Sequence, residues 1–280
     1  MPRLDLWSGN RLFRRQVLEY LRYVEFGGMI TLAQSVIKSE YGVKVSIEDA
    51  PKTITKFGRN PDLDAIATIS QLGDETYVSD NLINSISSSS ASDTMDVTII
   101  GFTISGGAFT EVQQTITLAG QTQVPLPTPL ARVIRAFNVG AVNSVGDVHV
   151  YQSTATVSGG VPTDLSLAHI KIAETENQTF KCSSTLGDGE YGMVSRVWAS
   201  IAKKTTASVD FQLQSRDPGG VFQPKAEWSA TQSSGVSPLT LEPYIIIPPN
   251  SDFRIVGDPS TTNVYATAGF SYIVASEKEN

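Results

Sequence analysis

A chain of 280 residues with 40% apolar and 18% charged residues is too apolar for a disordered protein and long enough to bury a core without staples. The single cysteine, Cys182, excludes an internal disulfide and a thiolate metal cage. The formal net charge of −7 is unevenly placed: residues 1–60 hold ten Lys/Arg against six Asp/Glu, whereas residues 61–280 hold eleven against 22, an acidic body that argues against DNA binding by the main domain.

The chain opens on Met1-Pro2-Arg3-Leu4-Asp5-Leu6-Trp7, which lacks the basic-then-apolar order of a signal peptide. No window approaches 18 uninterrupted apolar residues, so no membrane span is expected. Helical spacing begins at residue 11. Over 11–25, Phe13, Val17, Tyr20, Leu21 and Val24 fall on one stripe, and Arg11, Arg15, Glu19 and Arg22 fall on the opposite face. Ser8 or Asn10 can cap this helix and Gly27-Gly28 ends it. A second helix is predicted over 29–39, stopped by Gly42. Helices this short are marginal alone, so their apolar stripes must pack on the body, on each other or on another subunit. Residues 1–50 are therefore read as a helical assembly region, with Phe13, Val17, Leu21, Val24, Arg11, Arg15 and Arg22 as its contact residues.

Val43, Val45 and Ile47 alternate with polar residues and predict a short strand. Residues 56–64 are rich in turn formers, and residues 85–92 are nearly all serine, so 51–92 reads as an extended segment ending in a flexible link. From residue 93 to 280 a β domain is expected. Strands are predicted over 95–102, 110–118, 132–139, 147–151, 169–172, 194–201, 208–215, 221–229, 244–247, 253–256 and 264–274. Glycine and proline turns such as Asp217-Pro218-Gly219-Gly220 separate them. Alternation is clearest in Val209-Asp210-Phe211-Gln212-Leu213-Gln214, which buries one face and wets the other. The fold class is mainly β: a jelly-roll-like antiparallel β-sandwich with a short α-helical N-terminal region.

No catalytic constellation emerges. His149 and His169 lie in predicted strands and read as surface-facing side chains without further ligands. Cys182 reads as a small buried apolar residue. Asp62 and Asp64 fit a turn around Pro61 better than a metal site. Asp188 and Glu190 are the best pair of carboxylates for glycoside chemistry, yet a glycine-rich hairpin loop with exposed acids explains them better. Phe211, Phe222 and Trp228 read as core or interface aromatics. No cofactor and no metal is expected, and the chain is read as non-enzymatic.

Several segments resemble a group of virion structural proteins of tailed phages, many of them marine podoviruses. They are Thr55-Lys56-Phe57-Gly58-Arg59-Asn60-Pro61-Asp62-Leu63-Asp64, Gln114 to Gly120 leading into Arg132 to Val139, Trp198 to Lys204 followed by Gln214 to Lys225, and Pro249 to Ile255. The likeness spans roughly residues 55 to 275 and consists of strand-and-turn patterns. It implies a place on the particle, made in the host cytoplasm. The leading expectation is a capsid decoration or cement protein bridging coat subunits. The expected partners are the major capsid protein or other virion proteins, in a symmetric homo-oligomer of which a trimer is favoured. A tail component (a fibre anchor or adaptor) and a glycan-binding or glycan-cleaving domain stand as alternatives. Neither nucleic acid nor membrane is an expected partner.

Overall fold

A computed structural model describes residues 45–46, 53–202, 207–232 and 235–277. The two helices expected over 11–25 and 29–39 lie outside the described residues. So do the contact residues Phe13, Val17, Leu21, Val24, Arg11, Arg15 and Arg22.

Three strands open the described chain: β1 (Val45–Ser46), β2 (Thr53–Leu63) and β3 (Ala67–Thr68). Next come β4 (Ile83–Ser88), β5 (Asp96–Ser105), β6 (Ala108–Thr117), β7 (Val124–Leu130), β8 (Arg132–Asn138) and β9 (Val148–Gln152). The short β10 (Val157–Ser158) and β11 (Val161–Pro162) form a hairpin before β12 (Ala168–Ile172). The chain closes with β13 (Ser183–Thr185), β14 (Glu190–Ala202), β15 (Ser208–Arg216), β16 (Gln223–Thr231), β17 (Ser237–Ile247), β18 (Asp252–Pro259) and β19 (Val264–Glu277). Every ladder between them is antiparallel.

The strands form two sandwiches, one threaded into the other. In the first, β2-β19-β14-β17 form one sheet, with β1 continuing the β2 edge, and β18-β15-β16 form the other. The remaining position in the second sheet is shared. β3 pairs with β18 at Thr68↔Val256, and β13 pairs with the same strand at Ser183↔Arg254. Lettering the strands B to I in chain order, with β3 and β13 together as C, gives sheets B-I-D-G and C-H-E-F. That order is a jelly roll, so the expected fold class holds. The alternation read in 209–214 is real: Val209, Phe211 and Leu213 are buried, and Asp210 is exposed. Between the sheets Phe253 meets Phe270 at 5.1 Å and stands edge-on to Tyr272 at 5.1 Å. Full burial of each such ring stabilises by about 1.5–3 kcal/mol.

Strand C is interrupted by residues 70–181. At the break the Ile69 amide donates to Ile255 O at 3.0 Å, the Ile255 amide to Cys182 O at 3.0 Å, and the Cys182 amide to Ile69 O at 3.0 Å. The inserted chain thus leaves and returns through hydrogen-bonded neighbours. Gly58 in β2 makes room for this neck, because a Cβ there would lie 2.1 Å from Ile69 O and 2.5 Å from Cys182 N. Cys182 is fully buried in the jelly-roll core, as expected of a lone cysteine read as a small apolar residue.

The inserted sandwich packs the sheet β12-β9-β4-β7 on β6-β5-β8 around Ile83, Ile86, Val97, Ile99, Val148 and Val150. Here the structure corrects the expected flexible link. Ser85, Ser87 and Ser88 belong to β4, an interior strand, and all three are buried. Ile83 and Ile86 anchor β4 in the core, while Ser87 donates to Gly160 O at 2.8 Å and bonds Tyr151 Oη at 2.9 Å beneath the β10–β11 hairpin. The serines are satisfied, and so they need no water. The boundaries expected at 51–92 and 93–280 shift accordingly. The turn-rich 56–64 is most of β2, and the β body divides into two cores.

Candidate functional site

The two sandwiches meet in a polar junction. Arg132, on β8 of the insert, donates from Nε to Asp252 Oδ1 at 2.8 Å and from Nη2 to Oδ2 at 2.9 Å. Asp252, at the start of β18 in the jelly roll, is fully buried. It also accepts two bonds from Arg216, at 3.0 and 3.2 Å, and one from the Thr185 hydroxyl at 2.8 Å. Tyr77 lies against the Arg216 guanidinium at 4.2 Å and against Arg132 at 5.1 Å. Phe222 stacks with Arg216 at 4.7 Å and Arg254 at 4.1 Å, a contact within the chain. Planar guanidinium forks suit this work, because they bind a carboxylate bidentately and stack on rings at once.

Beside the junction a cleft of about 470 Å³ lies between β2 and sheet β6-β5-β8. Ile54, Phe57, Ile100, Ile134, Phe180 and Val274 supply much of its apolar wall. Lys56 lines it, 8% exposed, and its Nζ crosses to donate to Ile134 O at 3.0 Å. Burial lowers the Lys56 ammonium to about 7; Lys181 and Arg135 push the same way, against smaller contributions from Cys182 and Glu75. Lys181 donates to Val133 O at 2.7 Å and pairs with Glu75, which also accepts from Tyr77 Oη at 3.0 Å. The opposite end of the cleft is acidic: Glu111 and Glu190 both act on Tyr272, whose hydroxyl bonds Ser184 at 2.9 Å and is pushed up chiefly by burial.

Between β8 and β9, residues 139–146 hold no charged side chain and expose Val139, Val142 and Val145. The loop is stapled in place. Asn138 Nδ2 donates to Val142 O at 2.6 Å, and the amides of Val145 and Gly146 donate to the Asp93 carboxylate at 2.8 and 3.0 Å. Asn177 joins from the returning chain, donating to Asn143 Oδ1 at 2.8 Å. The loop therefore presents an uncharged, apolar surface held in place by hydrogen bonds.

The structure moves both histidines from the surface to the interior. β9 is an interior strand with both faces covered, which buries His149; His169 sits on the neighbouring β12. Burial lowers His149 to about 4, assisted by Lys171, and lowers His169 to about 3, assisted by Lys181. His169 is held by Thr76 O at 3.1 Å and by the Gln152 amide at 3.1 Å. Asp188 and Glu190 serve as loop fasteners. Asp188 accepts from Asn250 at 2.8 Å and Glu190 from the Gly187 amide at 2.9 Å. Asp62 and Asp64 likewise sit in turn hydrogen bonds, the Asp62 amide to Asn60 Oδ1 and the Asn263 amide to Asp64 Oδ1. Phe211 is core, with Trp228 stacked on it at 5.7 Å. Among the described residues no group of three or more His, Cys, Asp or Glu side chains could hold a metal, and no helix is long and apolar enough to cross a membrane.

Neither the junction nor the cleft was singled out from sequence. Asp252 and Arg132 are far apart in the chain, and nothing near either marks a partner. The one available signal was the β-rich run Thr53-Ile54-Thr55-Lys56-Phe57, which places a lysine inside a strand.

No family model matches this chain, and no curated protein matches it. Two solved structures resemble it distantly, both of infectious bursal disease virus. The VP2 subviral particle is 8% identical over 86% of this chain and 78% of that one, with a TM-score of 0.21. The Gt strain structure is 8% identical over 83% and 75%, with a TM-score of 0.19. Likeness of that degree carries no argument; the fold stands on its own sheet order.

Proposed function

We propose that this chain is a non-catalytic structural protein of a tailed-phage virion, a capsid decoration or cement protein that docks on the major capsid protein and bridges neighbouring coat subunits. The observation that carries the reading is the stapled valine loop at 139–146, an exposed apolar segment held by hydrogen bonds. The sequence resemblance to virion proteins supports it. So does the jelly roll, by fold-level analogy only, since such sandwiches recur in capsids and lectins alike. Residues 1–50, with the basic, amphipathic helices expected in them, act as a second attachment point, and the acidic body assembles as a symmetric trimer. Many weak contacts repeated by symmetry give strong total holding.

The test is retention on purified virions. Val142→Asp, at an exposed position, leaves the melting temperature of the free protein unchanged and lowers its copy number on particles at least tenfold. A folded Val142→Asp protein retained at the normal copy number overturns the docking role. A particle reconstruction showing the chain only on the tail overturns the decoration role. Sedimentation at micromolar concentration reads the trimer, and a single monomeric species at both low and high salt removes it.

A further inference from the structure

We infer that the cleft between the jelly roll and the inserted sandwich is a binding site for an amphipathic anion, with the carboxylate head at Lys56 and an aliphatic body along the apolar wall. Lys56 is nine-tenths buried, spends one proton on Ile134 O, and has no carboxylate paired with it among the described residues. An ammonium in that position lacks the partner that buried charges require. Its neighbours make matters worse for it: Lys181 from the returning chain and Arg135 from β8 are both cationic, while Glu75 is engaged with Lys181 and Tyr77, and Cys182 is a buried thiol. An anion at this end would face Lys56 and Arg135 together with Lys181, which Glu75 already holds.

The remaining geometry sets the rest of the ligand. From Lys56 the cleft runs past Ile54, Phe57 and Phe180 on one side and Ile100 and Ile134 on the other. A volume of about 470 Å³ lies within the usual range of small-molecule sites. Glu111 and Glu190 at the far end would repel a second anionic group, so the site favours one charged head over a dianion. A medium-chain carboxylate has that shape and that charge.

Binding has a proton signature. With the amine at about 7, Lys56 is mostly neutral at pH 8, and an arriving carboxylate draws a proton onto it. Titration calorimetry of the full chain with decanoate, in buffers of differing ionisation enthalpy, reads this directly. The expected result is one decanoate per chain with a sub-millimolar Kd, uptake of close to one proton at pH 8, and much less at pH 6. 1-Decanol and decylamine bind at least tenfold more weakly. Lys56→Met weakens decanoate at least tenfold. Arg135→Gln, on an exposed side chain that the fold does not need, weakens it about threefold and keeps the inference testable if the Met variant fails to fold. Decanol binding as tightly as decanoate, no saturable decanoate binding below 1 mM, or no proton uptake at pH 8 each overturns the site.

Discussion

Replacing Asp252 with asparagine tests whether the junction holds the two sandwiches as one cooperative body. The carboxylate accepts four N–H bonds from Arg132 and Arg216 and one O–H bond from Thr185. Asparagine keeps the shape, but turns an amide NH2 toward a guanidinium and strands the two cations in a nearly dry site. The Arg132 side chain is only 6% exposed, so water cannot compensate. Removing one partner of such a buried pair costs about 3–5 kcal/mol. For a chain of this size that lowers the melting temperature by about 6–20 °C, at roughly 2–4 °C per kcal/mol. Arg132→Met should cost less, because Asp252 keeps Arg216. The assay exploits the tryptophans. Of the three, Trp198 and Trp228 lie in the jelly roll, Trp7 lies outside the described residues, and the insert has none. Fluorescence therefore follows the jelly roll while far-UV circular dichroism follows both sandwiches. In the wild type the two urea transitions coincide; in Asp252→Asn they separate. A variant within 1 kcal/mol of wild type, with coincident transitions, would refute the reasoning.

Acid is expected to destabilise the fold well before carboxylates titrate. Above pH 6.5 both histidines are neutral whether the chain is folded or not; below it the unfolded chain takes up protons that buried His149 and His169 refuse until about 4 and about 3. Each then costs about 1.4 kcal/mol per pH unit, or roughly 4 kcal/mol for the pair between pH 6.5 and 5. Urea midpoints at pH 7 and 5 measure this, and His149→Gln should flatten the slope. Gly58→Ala forces the neck at Ile69 and Cys182 apart and should cost about 1–3 kcal/mol by thermal melting. Cys182, fully buried and with its thiol pushed up by that burial, should ignore Ellman's reagent in the folded protein and give one equivalent in guanidinium.

Strand periodicity carried most of the fold, and its failures have identifiable causes. All eleven strands read from alternation over 95–274 appear as strands. β2 escaped because Gly58, Asn60 and Pro61 imitate a turn; the ladder shifts register between Val264 and Ala266, which lets Pro61 sit where no amide is required. β7 escaped because three of its seven residues are proline. Pro125, Pro127 and Pro129 all face outward on an edge strand, with Leu126 and Leu130 turned to the core, an arrangement that also blocks unwanted pairing. β4 was mistaken for a linker because serine is read as solvated, whereas these hydroxyls find partners in the interior. The junction and the cleft depend on residues brought together only by the insertion, and short-range pattern holds no trace of that.

The interrupted strand has a consequence for how such a protein changes over time. Because Ile69 and Cys182 are hydrogen-bonded to each other and to the same residue of β18, the jelly roll's ladder is complete with or without what lies between them. The insert is a cartridge seated in a socket of two adjoining backbone positions. Lineages could exchange the cartridge, and with it the exposed valine loop and one wall of the cleft, while the socket and the frame around it stay the same. The contacts that cross the junction, the Arg132–Asp252 pair and the Lys56 bond to Ile134 O among them, would have to be matched anew.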